Sequence, residues 1–105
     1  IYGAKKAFMA KRAEVYELLS SNLSEAGSAK SATIKELFDA WAIRDHKRGQ
    51  AIALVYRSIA ARLAAGQTFS GAMAPFIPVD EQLILDAGEA SGRLAGALKS
   101  AQAQC

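Results

Sequence analysis

The chain has 105 residues, 51% of them apolar, and a formal net charge of +3. A length of this order supports one modest core, because folding buries roughly 65% of the surface of such a chain. The apolar content excludes general disorder, and the single cysteine, Cys105, excludes an internal disulfide. The mild positive charge is compatible with a nucleic acid, anionic lipid or an acidic protein as partner.

Alanine, leucine, lysine, arginine and glutamate favour helix, while β-branched residues are sparse. We therefore predict an all-α fold, a compact six-helix bundle of antiparallel helices, with residues 1–105 forming a single domain. Because the sequence begins at Ile1 rather than at methionine, we expect the domain to be a piece of a longer protein. Apolar spacing and capping residues place the first four helices at about 4–26, from a cap at Thr33 or Ser31 to 45, at 50–65 and at 69–75. The fifth helix is predicted to run from Val79 or Asp80 to about 89, and Ser91 is predicted to cap the sixth.

Local patterns support these boundaries. Thr33 has the spacing of a capping box with Glu36, and Ser31 is its rival as the cap of the second helix. Gly27 and Gly66 can adopt the left-handed conformation that ends a helix, and Thr68 is placed to cap the fourth helix. Apolar stripes at helical spacing mark the inward faces of the second and third helices: Ile34, Leu37, Phe38 and Trp41; then Ile52, Val55, Tyr56, Ile59 and Leu63.

No catalytic constellation stands out in the sequence. The single histidine, His46, lies among charged residues, and Cys105 has no neighbour that would activate its thiol. Asp80 and Glu81 are adjacent acids at a helix start, which more often complement the helix dipole than bind a cation. We therefore expect no enzyme activity, no cofactor and no metal.

The stretch from Gly66 to Leu98 resembles a known family. It reads "GQTFSGAM", then "PFIPVDEQLILDAGEASGRLAGAL", and it closes on the specific order "GEASGRL". This arrangement is similar to the cytoplasmic domain of the GspF/PilC family, the inner-membrane platform proteins of bacterial type II secretion and type IV pilus machines. The family motif maps onto Gly66, Thr68, Pro78, Gly88, Glu89, Ser91, Gly92 and Leu94.

The sequence departs from the family pattern at two places. Gly71 stands where family members usually have the glutamate that completes a capping box with Thr68, so the fourth helix is expected to be weaker. The first helical pair has "GSAKSATIKELF" in place of the family's glycine-hydroxyl-leucine turn. These departures point towards the type IVb pilus, TcpE/BfpE-like branch.

Glu89 lies between two predicted helices and is flanked by glycines. We predict that its carboxylate accepts hydrogen bonds from the free backbone N–H groups near Ser91, Gly92 and Arg93, at the start of the sixth helix. Gly88 and Gly92 would let the two helix backbones approach closely. Glu89 would then be structural rather than catalytic.

The resemblance implies a non-catalytic scaffold in the bacterial inner membrane, with this domain facing the cytoplasm and the membrane reached through segments outside it. Its implied partners are the assembly or secretion ATPase, other inner-membrane assembly proteins and pilins, with no nucleic acid expected. Phe8, Met9 and Arg12 are candidates for a partner or homodimer surface. Met73 and Phe76 are considered with Phe8 and Met9 as apolar residues of such a surface. The alternative is that all four belong to the ordinary core, and this alternative is favoured for Met73 and Phe76. The alternative function is a small basic helical nucleic-acid-binding or regulatory domain.

Overall fold

The computed structural model describes residues 2–23 and 31–105, and in these residues the chain is all helical. The helices are α1 (Tyr2–Leu23), α2 (Ser31–Lys47), α3 (Ala53–Ala64), α4 (Phe69–Met73), α5 (Val79–Ala90) and α6 (Leu94–Ala103), with a 3-10 turn at Ala74–Phe76 after α4. The described part of the chain contains no strand. The all-α fold and its six helices are confirmed.

Several helix ends differ from the prediction. The predicted end of the first helix, with Gly27 beyond it, lies outside the described residues. Because α2 begins at Ser31, Thr33 lies inside the helix and does not cap it. The α2 helix also continues two residues beyond the predicted end at Asp45.

The helices pack around one core. The α1 helix contacts α6 and α3, α2 packs on α3, and α5 lies against both α4 and α6. The buried apolar residues form a single cluster to which all six helices contribute. The Cα radius of gyration is 12.6 Å, close to the roughly 13 Å of a compact domain of about 100 residues.

Aromatic rings fill the centre of this core. The Phe8 ring meets Tyr56 and Phe76 edge-on, with centroids 6.0 and 6.1 Å apart. Phe38 meets Trp41 in the same way at 5.2 Å. Edge-to-face pairs contribute about 0.5–1.5 kcal/mol each beyond the area they bury. The predicted stripes of α2 and α3 therefore face inward as expected, with Leu37 and Trp41 only partly buried.

A left-handed glycine, Gly66, closes α3 as predicted. Gly66 has φ +95° and follows Ala65, the C-cap of α3. The N–H of Gly66 donates to the Leu63 carbonyl, and the N–H of Gln67 donates to the Arg62 carbonyl, which together form a Schellman motif. The turn therefore satisfies carbonyls that would otherwise be free and directs the chain into α4.

None of the helices within residues 2–23 and 31–105 combines the length and hydropathy that crossing a bilayer requires.

Candidate functional site

The Glu89 carboxylate caps a helix, although not the helix that was predicted. It accepts hydrogen bonds from the backbone N–H groups of Phe69, at 2.8 Å, and Ser70, at 3.1 Å. These donors belong to the first turn of α4, twenty and nineteen residues earlier in the chain. A carboxylate at this position satisfies unpaired donors and complements the positive end of the helix dipole.

The predicted donors of Glu89 are used in another way. The N–H groups of Ser91, Gly92 and Arg93 donate to the carbonyls of Ala87, Glu89 and Gly88, which closes the last turn of α5. Gly92 has φ +73°, so this is a second Schellman motif. Because the turn consumes these donors internally, the Glu89 side chain is left to reach α4.

The rest of the α4 start is also satisfied. The Thr68 hydroxyl accepts from the N–H of Gly71 at 3.1 Å, which confirms Thr68 as the cap of α4. The Ser70 hydroxyl donates to the Asp86 carboxylate at 3.2 Å, so a second acid of α5 holds the same turn. Glu89 and Asp86 thus hold the first turn of α4 through Phe69 and Ser70, whereas a capping-box glutamate at position 71 would have bonded the backbone N–H of Thr68.

Gly88 sets the distance between α5 and α6. A Cβ at Gly88 would overlap the Ala97 Cβ and lie 3.1 Å from the Arg93 carbonyl oxygen. The predicted close approach of the two helices is therefore confirmed at Gly88. At Gly92 nothing lies within 4 Å of an added Cβ. That glycine is instead required for the positive φ of the turn.

The remaining motif residues also have structural positions. Pro78 is the N-cap of α5, and its carbonyl accepts the N–H of Gln82 at 3.1 Å. Leu94 is 3% exposed in the core. Ser91 was predicted to cap α6, and this is wrong: it is the C-cap of α5, its hydroxyl donates to the Gly88 carbonyl, and Arg93 precedes α6 without a side-chain cap.

A buried ion pair joins α1 to α5, and no sequence pattern predicted it. Glu81 is 1% exposed and accepts from the Arg12 guanidinium at 2.8 and 3.0 Å and from the Tyr16 hydroxyl at 2.7 Å. The hydrogen bond from Arg12 to Glu81 raises the pKa of the guanidinium. Burial, and then the hydrogen bond to Glu81, raises the pKa of the Tyr16 phenol. Glu81 therefore does more than complement a helix dipole.

The three candidate partner-surface residues have different environments. Phe8 is fully buried, so its side chain offers nothing to a partner. Arg12 is held by Glu81 and by the Met9 carbonyl, at 2.7 Å. Met9 is half-buried and lines an open groove with Arg12. Met73 and Phe76 are core residues, 0% and 4% exposed, as favoured.

A second polar cluster lies at the end of α2. Asp45 is 3% exposed and accepts two hydrogen bonds from Arg44, both at 3.0 Å. This pairing lowers the pKa of the Asp45 carboxyl. Arg44 and Arg48 also line a cleft of about 190 Å³ with Trp41, beside Tyr56. Burial, and then the charge of Asp45, raises the pKa of Tyr56 to about 12.

The other titratable candidates, Cys105 and His46, lie at the ends of α6 and α2. Cys105 is exposed, and its sulfur lies 3.6 Å from the Ala101 carbonyl oxygen. His46 is exposed in the last turn of α2. Across residues 2–23 and 31–105, no group of three or more acidic, histidine or cysteine side chains is arranged to hold a metal ion.

Comparison of the chain with models of protein families, with curated proteins and with solved structures found no match.

Proposed function

We propose that this chain is a non-catalytic scaffold domain of an inner-membrane platform protein in a type IV pilus or type II secretion machine. The domain would face the cytoplasm and dock the assembly ATPase and other inner-membrane assembly proteins during assembly of the pilus or pseudopilus. The observation that carries the proposal is the use of the "GEASGRL" motif. Its glutamate caps α4 from α5, and the preceding glycine seats α6 against α5.

This use of the motif supports a scaffold. Both carboxylate oxygens of Glu89 accept hydrogen bonds from backbone N–H groups, and Ala97 packs directly against Gly88. The Arg12–Glu81 ion pair fastens α1 to the same unit. A domain that transmits the motion of an ATPase needs such cross-links, because loosely connected helices would absorb a displacement instead of passing it on.

The distribution of charge favours a scaffold over the nucleic-acid alternative. Five basic residues of the described chain are engaged in ion pairs with acids: Lys11, Arg12, Lys35, Arg44 and Arg48. A nucleic-acid surface would present such cations on one face, free to contact phosphates. Arg12, Arg44 and Arg48 are instead held by buried carboxylates, and Lys11 and Lys35 pair with exposed acids of their own helices.

The test has two parts. The native full-length protein is fractionated, and its membrane pellet is washed with alkaline carbonate; we expect the protein to stay in the membrane. The purified 105-residue chain is then titrated with the assembly ATPase of the same organism, and we expect saturable binding and no hydrolysis of ATP by the chain itself.

A wholly soluble native protein would contradict the proposal. A mobility-shift titration of the chain with duplex DNA tests the alternative. Binding whose affinity falls steeply with salt concentration would support a nucleic-acid-binding domain instead.

A further inference from the structure

An open groove lies between the first half of α1 and the 3-10 turn after α4. Its volume is about 510 Å³. The residues that line it are Tyr2, Lys5, Lys6, Met9, Ala10 and Arg12 from α1, with Pro75 and Phe76 from the turn. Tyr2 is 78% exposed, and Met9 is half-buried, so the described part of the chain leaves this face open.

The groove is long enough for a helix to lie along α1. Tyr2, Lys5, Lys6 and Met9 recur at the i, i+3, i+4, i+7 spacing that puts side chains on one face. From Tyr2 to Arg12 the helix rises about 15 Å, at 1.5 Å per residue. That length accommodates nearly three turns of a second helix lying alongside, which is the geometry of helix-in-groove recognition.

The groove combines an apolar floor with basic edges. Tyr2, Met9 and Pro75 supply accessible apolar surface, and Lys5 and Lys6 supply positive charge, whereas the charge of Arg12 is paired with Glu81. The Lys5 ammonium lies 5.9 Å from the centroid of the Phe76 ring, which places its charge beside the floor. A complementary occupant has an apolar stripe flanked by carboxylates.

Two other occupants fit less well. A membrane surface is broad, and it would meet the rim of the groove at Tyr2 before it reached the half-buried Met9. A second copy bound through the same groove in a twofold arrangement would bring Lys5 and Lys6 of both chains together, and like charges oppose such a contact. An acidic helix meets neither obstacle.

We propose that this groove docks an amphipathic helix of a partner protein, whose apolar stripe is flanked by Asp or Glu. The assignment deepens the proposed function and rests on it for the view that the domain docks protein partners. Apolar contact with Tyr2, Met9 and Pro75 supplies affinity, and Lys5 and Lys6 select the acidic sequence.

The probe is a designed helical peptide of about 18 residues, or five turns, with leucines at i, i+3, i+4, i+7 and glutamates flanking them. A matched peptide has lysine in place of every glutamate. Fluorescence anisotropy measures binding of each labelled peptide to the 105-residue chain. We expect the acidic peptide to bind at least about tenfold more tightly than the basic one.

Charge reversal locates the binding. Lys5→Glu/Lys6→Glu should reverse the preference between the two peptides, whereas Lys47→Glu/Arg57→Glu, with the same change of net charge on exposed residues outside the groove, should retain it. Met9→Gln should weaken binding of the acidic peptide, because it places a polar amide in the groove while leaving the net charge of the chain unchanged. Circular dichroism establishes that each variant remains helical.

Other results overturn the assignment. Weak or absent binding of both peptides does so, and so does an equal response to the groove and control variants. Phosphatidylglycerol vesicles that cosediment with the chain through Lys5 and Lys6 would reassign the groove to lipid. A dimer in sedimentation equilibrium that Met9→Gln dissociates would reassign it to a second copy. If the ATPase binds while no peptide does, the proposed function stands and the groove assignment alone fails.

Discussion

The Glu89 carboxylate links α5 to the start of α4, because it accepts from two N–H groups that the helix itself cannot satisfy. Glu89→Gln keeps one acceptor oxygen but places an amide NH2 against a backbone N–H and removes the negative charge. We expect a loss of about 1–2 kcal/mol in the free energy of unfolding, measured by urea denaturation. The exposed Glu36 provides the control, since Glu36→Gln should leave stability within about 0.5 kcal/mol.

A Glu89→Gln variant that unfolds like the wild type but no longer binds the ATPase would refute this structural role. The carboxylate would then contribute to the partner surface instead.

The Arg12–Glu81 pair predicts a different pattern of losses. Glu81→Leu leaves the guanidinium of Arg12 without its carboxylate, and we expect a loss of about 3 kcal/mol, the low end for a broken buried pair, because Arg12 still reaches solvent. The double variant Arg12→Met/Glu81→Leu removes both charges and should recover most of that loss. Urea denaturation of the two single variants and the double variant completes the cycle.

Losses that simply add in the double variant would show that the two side chains act independently. Tyr16→Phe is the matched comparison: it removes only the hydroxyl that donates to Glu81, and should cost about 1 kcal/mol.

Residue-level chemistry was predictable only in part from the sequence. The glycine-flanked carboxylate of Glu89 indicated a helix cap, but its choice of α4 depends on how α5 packs, twenty residues away in sequence. The partners Arg12 and Glu81 are 69 residues apart, and no local spacing relates them. Such pairs follow from tertiary packing, which single-sequence patterns do not contain.

At the scale of elements, apolar periodicity predicted the longer helices, because each buries one face in the shared core, and the short α4 was predicted from its cap, Thr68. Helix ends were less predictable. Ser91 was interpreted as the start of α6 from its side chain, whereas Gly92 closes α5 with backbone hydrogen bonds and leaves Ser91 as the C-cap. In this turn the conformation of glycine outweighs the capping preference of serine.

The close contact of α5 with α6 at Gly88 can be tested by substitution. Gly88→Ala would overlap the Ala97 Cβ, so the helices must separate, and we expect a loss of about 1–3 kcal/mol in the free energy of unfolding. Gly96→Ala, in α6, meets nothing within 4 Å and should be neutral or stabilise by up to about 1 kcal/mol through helix propensity. Thermal denaturation of both variants makes the comparison.

The reciprocal variant Gly88→Ala/Ala97→Gly moves the methyl group from one helix to the other. It should recover much of the stability lost in Gly88→Ala, and a failure to recover any would mean that Gly88 is required for a reason other than the approach of Ala97.

At the scale of the whole molecule, one core joins all six helices, so charged and phenolic groups in different places affect the same unfolding equilibrium. Asp45, near the end of α2, and the phenols of Tyr16 and Tyr56, in α1 and α3, have pKa values displaced in the folded state. The Asp45 contribution to stability is lost at low pH and the contributions of the two phenols are lost at high pH. Together they define a pH range in which the protein is most stable.

The acid side of the window depends on Asp45. Its folded-state pKa is lowered by Arg44, so its contribution is present above the unfolded pKa of about 4 and is lost as pH falls through the folded value. Asp45→Asn should therefore destabilise the protein at pH 6 and make its stability less dependent on pH below 4. Urea denaturation at intervals between pH 2.5 and 6 measures this slope, and parallel slopes in the variant and the wild type would contradict it.

The alkaline side depends on the buried phenols. Because the pKa of Tyr56 is raised to about 12, the neutral phenol stabilises the folded state fully below the unfolded pKa of about 10, and this contribution is lost as pH rises towards 12. Tyr16 acts in the same direction. We expect the melting temperature to fall between pH 10 and 12, and to fall less in Tyr56→Phe, which has no phenol to ionise. The difference in near-ultraviolet absorbance between the wild type and Tyr56→Phe reports phenolate formation at Tyr56 in the same samples. Ionisation of the Tyr56 phenol near pH 10 while the helices remain folded would contradict its desolvation by the core.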